Sequence, residues 1–196
     1  MAAENVTGEK INFIATYGKG LICTPLLENR SSALNLPQMV EENEESLRTA
    51  FTVSVDAKEG ITTGISAFER ALTIQKLIDP DASAEDFVRP GHIFPLRARA
   101  NGVLDRRGQT EASIDLMRLA GLRPAAVICE IMADDGHMAR SKELEEFAGK
   151  HELVLITVQD LVEYRMKNGL LTGKLPKARA LLLGARVCCI IKDCQM

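Results

Sequence analysis

The sequence predicts one α/β domain (α+β): a mixed β-sheet with flanking helices. Three observations predict it. The 196 residues are 46% hydrophobic and 26% charged, enough apolar content for a sizeable core. Short apolar and β-branched runs recur at strand length. Between them lie stretches with helical spacing and recognisable start and stop residues.

In order along the chain, Glu9 to Tyr17 has apolar residues at 11, 13, 14 and 17 and ends at Gly18, which reads as a helix with its C-cap. Gly20 to Pro25 is a short apolar strand stopped by proline. Ser31 to Pro37 reads as a brief helical turn, and the acidic run Glu41 to Glu45 as a solvated loop rather than a metal site. Phe51 to Asp56 alternates apolar and polar residues, the pattern of a half-buried strand. Ser66 is placed to cap a helix whose apolar residues fall at 71, 74, 77 and 78 and which Asp79-Pro80-Asp81 ends. Arg89-Pro90-Gly91-His92 is a loop of unusual backbone before the apolar Ile93 to Leu96. Thr110 reads as the cap of a helix with apolar residues at 114, 116, 117 and 119, closed by Gly121. Ala125 to Ile131 and Leu153 to Val158 are apolar runs on either side of a helix from Ser141 to His151, a βαβ-like succession, and Asp160 to Met166 is a further helix.

Composition narrows the function. A formal charge of −3 and a pI near 5.7 supply no basic field for nucleic acid. Aromatics at 4% with no Trp remove the usual stacking platforms for single strands. Met1 to Lys10 has no apolar core of a secretory signal, so a cytoplasmic location is expected. The longest apolar stretch, Ala180 to Ile191, is broken by Arg186 and falls short of the roughly 20 residues of a membrane span. The five cysteines form no CxxC, so reduced thiols are expected rather than zinc or a disulfide framework.

Several polar groups stand out on chemistry alone. Glu130 interrupts an apolar strand, which places it either at a strand end in a site or beside a buried cation. His92 sits in a rigid loop that could aim a titratable imidazole at a substrate or serve structure alone. Asp105-Arg106-Arg107-Gly108-Gln109-Thr110 puts two arginines, a glycine and a hydroxyl at a helix start, where N–H groups and the dipole favour an anion; an exposed basic turn is the alternative. Thr62-Thr63-Gly64-Ile65-Ser66 repeats that arrangement, with Arg70 one turn on, and reads first as a plain capped helix start.

Taken together, these segments resemble the 3,4-dihydroxy-2-butanone 4-phosphate synthase family of riboflavin biosynthesis. The resemblance runs from about Val6 to Tyr164, through Gly18 to Cys23, Leu36 to Val40, Thr62 to Ala67, Arg89 to Ala98, Thr110-Glu111-Ala112, Cys129 to Met132, Asp134-Asp135-Gly136 and Met138-Ala139-Arg140. It implies a lyase that converts D-ribulose 5-phosphate to 3,4-dihydroxy-2-butanone 4-phosphate and formate with Mg2+ (or Mn2+), working as a homodimer with its sites near the subunit interface. By position, His92 and Glu130 match the family's essential histidine and glutamate, and Arg106, Arg107, Gly108, Gln109, Thr110, Glu130 and Thr63 match its substrate contacts.

Two departures follow from the same resemblance. Where the family has a metal-binding histidine before Thr-Glu-Ala, this chain has Gln109, whose amide oxygen still suits a hard cation. The family's first strand and its acidic Asp-Arg-Glu-Asn-Glu-Gly-Asp loop have no counterpart here. The expectation is a synthase domain over residues 1–168 without that strand and loop, a tail over 169–196 outside the family, and impaired catalysis. The rival expectation is a catalytically silent binding or dimerisation module.

Overall fold

The computed structural model describes residues 1–168 and the backbone of 189–192. Its main sheet has the order β1 (Cys23–Leu27), β3 (Phe87–Ala98), β2 (Val55–Ala57). The β1–β3 pair is parallel, with Cys23 opposite Phe94, and the β2–β3 pair is antiparallel, so the sheet is mixed as predicted. Helices α1 (Gly8–Tyr17), α2 (Glu28–Ala33), α3 (Ala67–Ile78), α4 (Gln109–Leu119), α5 (Ser141–His151) and α6 (Val158–Asn168) flank it.

Two apolar clusters hold these layers. Ile11 and Ile14 of α1 and Ile74 and Leu77 of α3 pack on Leu26, Val55 and Ile93 of the sheet. Leu116, Met117 and Leu119 of α4 meet Val158, Leu161 and Val162 of α6. The start of α3 follows its sequence signal closely: Ser66 Oγ accepts the Glu69 N–H at 3.2 Å and the Glu69 carboxylate accepts the Ser66 N–H at 3.3 Å, a reciprocal capping box.

Several boundaries differ from the sequence reading, each for a pairing reason. Pro25 does not stop β1, which continues to Leu27, because proline lacks only a donor and its carbonyl still accepts the Ala126 N–H at 3.2 Å. The helical turn expected over 31–37 comes earlier, as α2. The strand expected over 51–56 is split. Phe51 bridges Leu96 and Thr52 bridges Gln38, and β2 follows after a register shift. Residues 89–92 are not a loop before a strand but a bulge inside β3. Opposite Val55 and Asp56 of β2, the β3 partners jump from Ile93 to Val88, and the Arg89–Pro90 peptide in that interval is cis.

Helix α4 starts at Gln109 with Gly108 in the cap position and no side-chain cap, so Thr110 is not its cap but a buried first-turn residue. The βαβ unit expected over 125–158 does not close into one sheet. Ala125 and Ile128 bridge β1 antiparallel, at Leu26 and Cys23, whereas β4 (Val154–Thr157) pairs in parallel with β5 (Cys189–Lys192) in a separate two-stranded sheet. Hydrophobic runs fix which segments are buried strands and leave their partners open. Helix α6 begins two residues before the expected Asp160. Thr157 Oγ1 accepts the Asp160 N–H at 3.0 Å and Asp160 Oδ2 accepts the Thr157 N–H at 3.2 Å.

Candidate functional site

Around the start of α4 the chain encloses a cavity of about 530 Å³ whose wall includes Glu45, Arg106, Gln109, Thr110, Cys129 and Glu130. Each comes from a different local argument. Arg106 is committed on every side: Nη1 donates to Glu111 at 2.6 Å, Nε and Nη2 donate to the Leu47 carbonyl at 3.1 and 3.0 Å, and Nη2 also reaches Thr49 Oγ1 at 3.0 Å. The guanidinium therefore ties the 45–49 loop to the head of α4. Glu45 completes that loop by accepting the Leu47 and Thr49 N–H groups at 2.8 and 2.9 Å, and those bonds hold its carboxyl below the usual range. Glu45 belongs to the acidic run that the sequence predicts to be a solvated loop. It is exposed, but it also shapes the cavity wall.

Glu130 stands exposed beyond the last bridge to β1, so the strand-end alternative holds, and among the described residues no buried cation is paired with it. Its Oε2 accepts the Leu21 N–H at 2.8 Å. Gly20 is the reason it can sit so close, because a Cβ there would come within 2.5 Å of Oε2. Beside it, burial pushes the thiols of Cys23 and Cys129 up to about 12 and about 11, which keeps both protonated and free, as expected.

His92 occupies the end of the β3 bulge. Its main-chain N–H donates to Asp56 Oδ1 at 2.9 Å and its Nδ1 lies 2.6 Å from Asp56 Oδ2. Asp56 is almost wholly buried, whereas 43% of the His92 side chain is open. Gly64, at φ +83°, lies against this pair. Its neighbour Thr63 is exposed. Neither His92 nor Thr63 lines the 530 Å³ cavity. Of the basic stretch, Arg106, Gln109 and Thr110 reach the cavity. Arg107 does not; its Nη1 donates to Gln159 Oε1 on α6 at 3.4 Å. A hollow of about 660 Å³ near Glu4, Lys76, Asp81 and Arg123 contains none of the predicted site residues.

The profile of 3,4-dihydroxy-2-butanone 4-phosphate synthase matches residues 1–164. This chain belongs to that family. The riboflavin biosynthesis protein RibBA of Aquifex aeolicus is 58% identical over 180 residues, covering 91% of this chain and 44% of its own length. The 3,4-dihydroxy-2-butanone 4-phosphate synthase of Wolinella succinogenes is 51% identical over 185 residues, covering 94% of this chain and 53% of its own length. This chain thus spans about half the length of these curated relatives. Among solved structures, a synthase in complex with two magnesium ions superposes with a TM-score of 0.80 at 46% identity, over 87% of this chain and 85% of that one. The two-domain synthase RibBX of A. baumannii superposes at 0.82 and 52% identity, over 86% of this chain and 49% of its own.

The cavity wall offers a divalent cation few oxygen donors. Magnesium takes about six oxygen ligands, usually one or two carboxylates with waters. Glu130 offers one carboxylate, half engaged with Leu21, and Gln109 one amide oxygen, while Glu45 is bound to its own loop. No group of three or more His, Cys, Asp or Glu suited to a metal occurs among the described residues. The described residues do not by themselves make a magnesium site. No helix among them is long and apolar enough to cross a membrane.

Sequence reasoning missed Asp56 as a site residue. The signal was present, an acid on the polar phase of an otherwise apolar-alternating strand, but only the three-dimensional pairing shows what it faces.

Proposed function

We propose that this chain acts as the lyase of its family, converting D-ribulose 5-phosphate to 3,4-dihydroxy-2-butanone 4-phosphate and formate. The observation that carries the reading is the family match over 1–164 joined to one cavity that brings Glu130 together with Gln109 and Thr110 of α4. On this reading the substrate enters the cavity with its phosphate toward the head of α4. There Thr110, the Gly108 turn and the first N–H groups of the helix favour an anion, while Arg106 braces the adjoining wall.

The chemistry needs a proton taken from a carbon next to a carbonyl. His92 and Glu130 are the proton-transfer and orienting groups. Because His92 and Thr63 lie off the cavity, the reading assigns the working form to a homodimer in which a second copy brings them to the substrate. The apolar Ile65 and Phe68, 53% and 65% exposed on either side of Ser66, suit such a contact. A divalent cation, Mg2+ or Mn2+, is the family's expected cofactor, and Glu130 and Gln109 are the oxygen donors this chain's described residues would offer it. Residues 1–168 form the synthase unit on this reading, and 169–196 lie outside it.

The test is formate release from ribulose 5-phosphate by purified chain with and without magnesium, beside Gln109→His. Slow magnesium-dependent formate from the unaltered chain, raised in Gln109→His, is the expected result. Silence from both proteins, in samples that unfold cooperatively, would overturn the lyase reading in favour of a binding module.

A further inference from the structure

Resting on the reading of the cavity as the substrate site, we propose that Glu111 is a positioning residue for substrate binding: through Arg106 it holds the 45–49 loop in place as a wall of that cavity. Glu111 is the third residue of α4, and its side chain is almost wholly buried. A buried carboxylate needs donors for its oxygens. Oε1 accepts the N–H of Arg99, the residue that follows β3, at 3.2 Å, and Oε2 accepts Arg106 Nη1 at 2.6 Å.

Arg106 carries the contact across the helix start to the loop. Its Nε and Nη2 donate to the Leu47 carbonyl at 3.1 and 3.0 Å, and Nη2 donates to Thr49 Oγ1 at 3.0 Å. Gly108 makes room for the crossing. Its φ of −122° is open to any residue, yet a Cβ there would collide with Nη1 and stand 3.0 Å from Oε2. A side chain at 108 would therefore push the guanidinium off the carboxylate.

Glu111 is not on the cavity wall, whereas Glu45, Leu47, Thr49 and Arg106 are. The other bonds of the loop are internal: Glu45 accepts the Leu47 and Thr49 N–H groups, and Asn43 Nδ2 donates to the Thr49 carbonyl. Those bonds give the loop its shape, and the Arg106 strut gives it its place. The root of the strut is its strongest part, because there both partners are charged. The loop residues take no part in proton transfer. Releasing the loop weakens binding of substrate and transition state alike, which raises KM and leaves kcat unchanged. A purely structural carboxylate would instead set the amount of folded enzyme, so its loss would lower apparent kcat at unchanged KM.

Glu111→Gln cuts the strut at its root, since one amide oxygen must serve both the Arg99 N–H and Arg106 Nη1 and the charge is gone. Thr49→Val cuts it at the loop end without disturbing the buried carboxylate, which keeps a test in hand if Glu111→Gln fails to fold. Formate kinetics are read beside limited proteolysis with trypsin, because the exposed Arg48 lies inside the loop. The expected result in Glu111→Gln is a KM for ribulose 5-phosphate up at least fivefold with kcat within twofold. Cleavage after Arg48 should be at least fivefold faster, while cleavage after the exposed Lys142 of α5 keeps its rate. Thr49→Val should move KM and Arg48 cleavage the same way by at least twofold. The double variant should be no worse than Glu111→Gln alone, because the two changes cut one strut. A lowered kcat at unchanged KM, or cleavage accelerated equally at Lys142, overturns the proposal. So does a folded Thr49→Val protein in which neither KM nor Arg48 cleavage moves. An unaltered chain that releases no formate, with Arg48 cleavage still accelerated in the variants, would sink the lyase reading while upholding the Glu111–Arg106 strut.

Discussion

Breaking the Asp115–Arg165 pair tests how much of the second core depends on one buried charge contact. Asp115 on α4 has no exposed side-chain surface and Arg165 on α6 only 3%, and the two form a short ion pair. Asp115 also accepts the Val103 N–H at 3.0 Å, and Arg165 donates to the Asn101 carbonyl at 3.3 Å, so the pair locks the turn before α4 onto α6. Removing Arg165 as Met keeps the apolar stem and leaves the carboxylate with Val103 and a more distant Arg118 at 3.8 Å. Uncompensated buried charges of this kind cost about 3–5 kcal/mol. For a domain of this size that is a drop in Tm of roughly 6–20 °C.

The pH dependence gives the sign a second check. Burial pushes the Asp115 carboxyl up despite its hydrogen bonds. A raised folded-state value means the native protein binds the proton more tightly, so this group's effect on stability worsens as pH rises from the unfolded value through the folded one. Without Arg165 the carboxyl moves further up, and Arg165→Met should be least harmful in acid and most harmful near pH 7. Urea unfolding of both single variants and of Asp115→Leu/Arg165→Met at pH 5 and pH 7 measures this. The double variant is expected to recover most of the loss, because an apolar pair of similar volume is often neutral or better. Single-variant losses below about 1 kcal/mol, adding up in the double variant, would refute the argument.

Other perturbations follow from the same contacts. Glu69 is held down to about 2, chiefly by the Thr62 hydroxyl and N–H, so its stabilising effect is present above its unfolded value near 4.5 and is lost as pH falls toward 2. Glu69→Gln should therefore flatten the acid limb of stability between those values, as read by thermal unfolding across pH. Ser66→Ala should cost about 1 kcal/mol in denaturant unfolding, since it removes one arm of the capping box. Gly20→Ala should lower kcat/KM for formate release at least tenfold while the chain stays folded, because the new methyl displaces Glu130; unchanged kinetics would show that the Glu130 position does not matter. Gln109→His should tighten Mn2+ binding, measured by electron paramagnetic resonance of the free ion, because an imidazole is a stronger ligand than an amide.

How much of this was legible before the fold was known depends on range. Helices α3 and α5 were readable almost to the residue, because caps and spacing are local physics. Strand pairing was not. The Ala125–Ile131 run looked like half of a βαβ unit, yet its bonds go back more than a hundred residues to β1. Thr110 looked like a cap because a hydroxyl before an apolar stretch usually is one. Here Gly108 takes that place and leaves the hydroxyl inside the first turn. At the site, residue types were readable and commitments were not: Arg106 carried the anion-binding signature in sequence, but its guanidinium is spent bracing Glu111, Leu47 and Thr49.

The glycines account for much of the difference. In the sequence Gly20 opens an apolar strand, Gly64 precedes a helix cap and Gly91 belongs to a loop of unusual backbone. In the fold each marks a place where another group must come closer than a Cβ allows: Glu130 against Gly20, the Asp56–His92 pair against Gly64, and the β2 backbone against Gly91. Only Gly64 has a backbone angle that by itself calls for glycine. For the other two the constraint comes wholly from the neighbour, and that neighbour is in each case part of the candidate site or of the strand that positions it. A substitution at Gly91 should thus act on His92 through the β2–β3 spacing, with little direct effect at Glu130. One at Gly20 should do the reverse, and comparing Gly91→Ala with Gly20→Ala for the His92 ring NMR signals and for formate release would separate the two halves of the site.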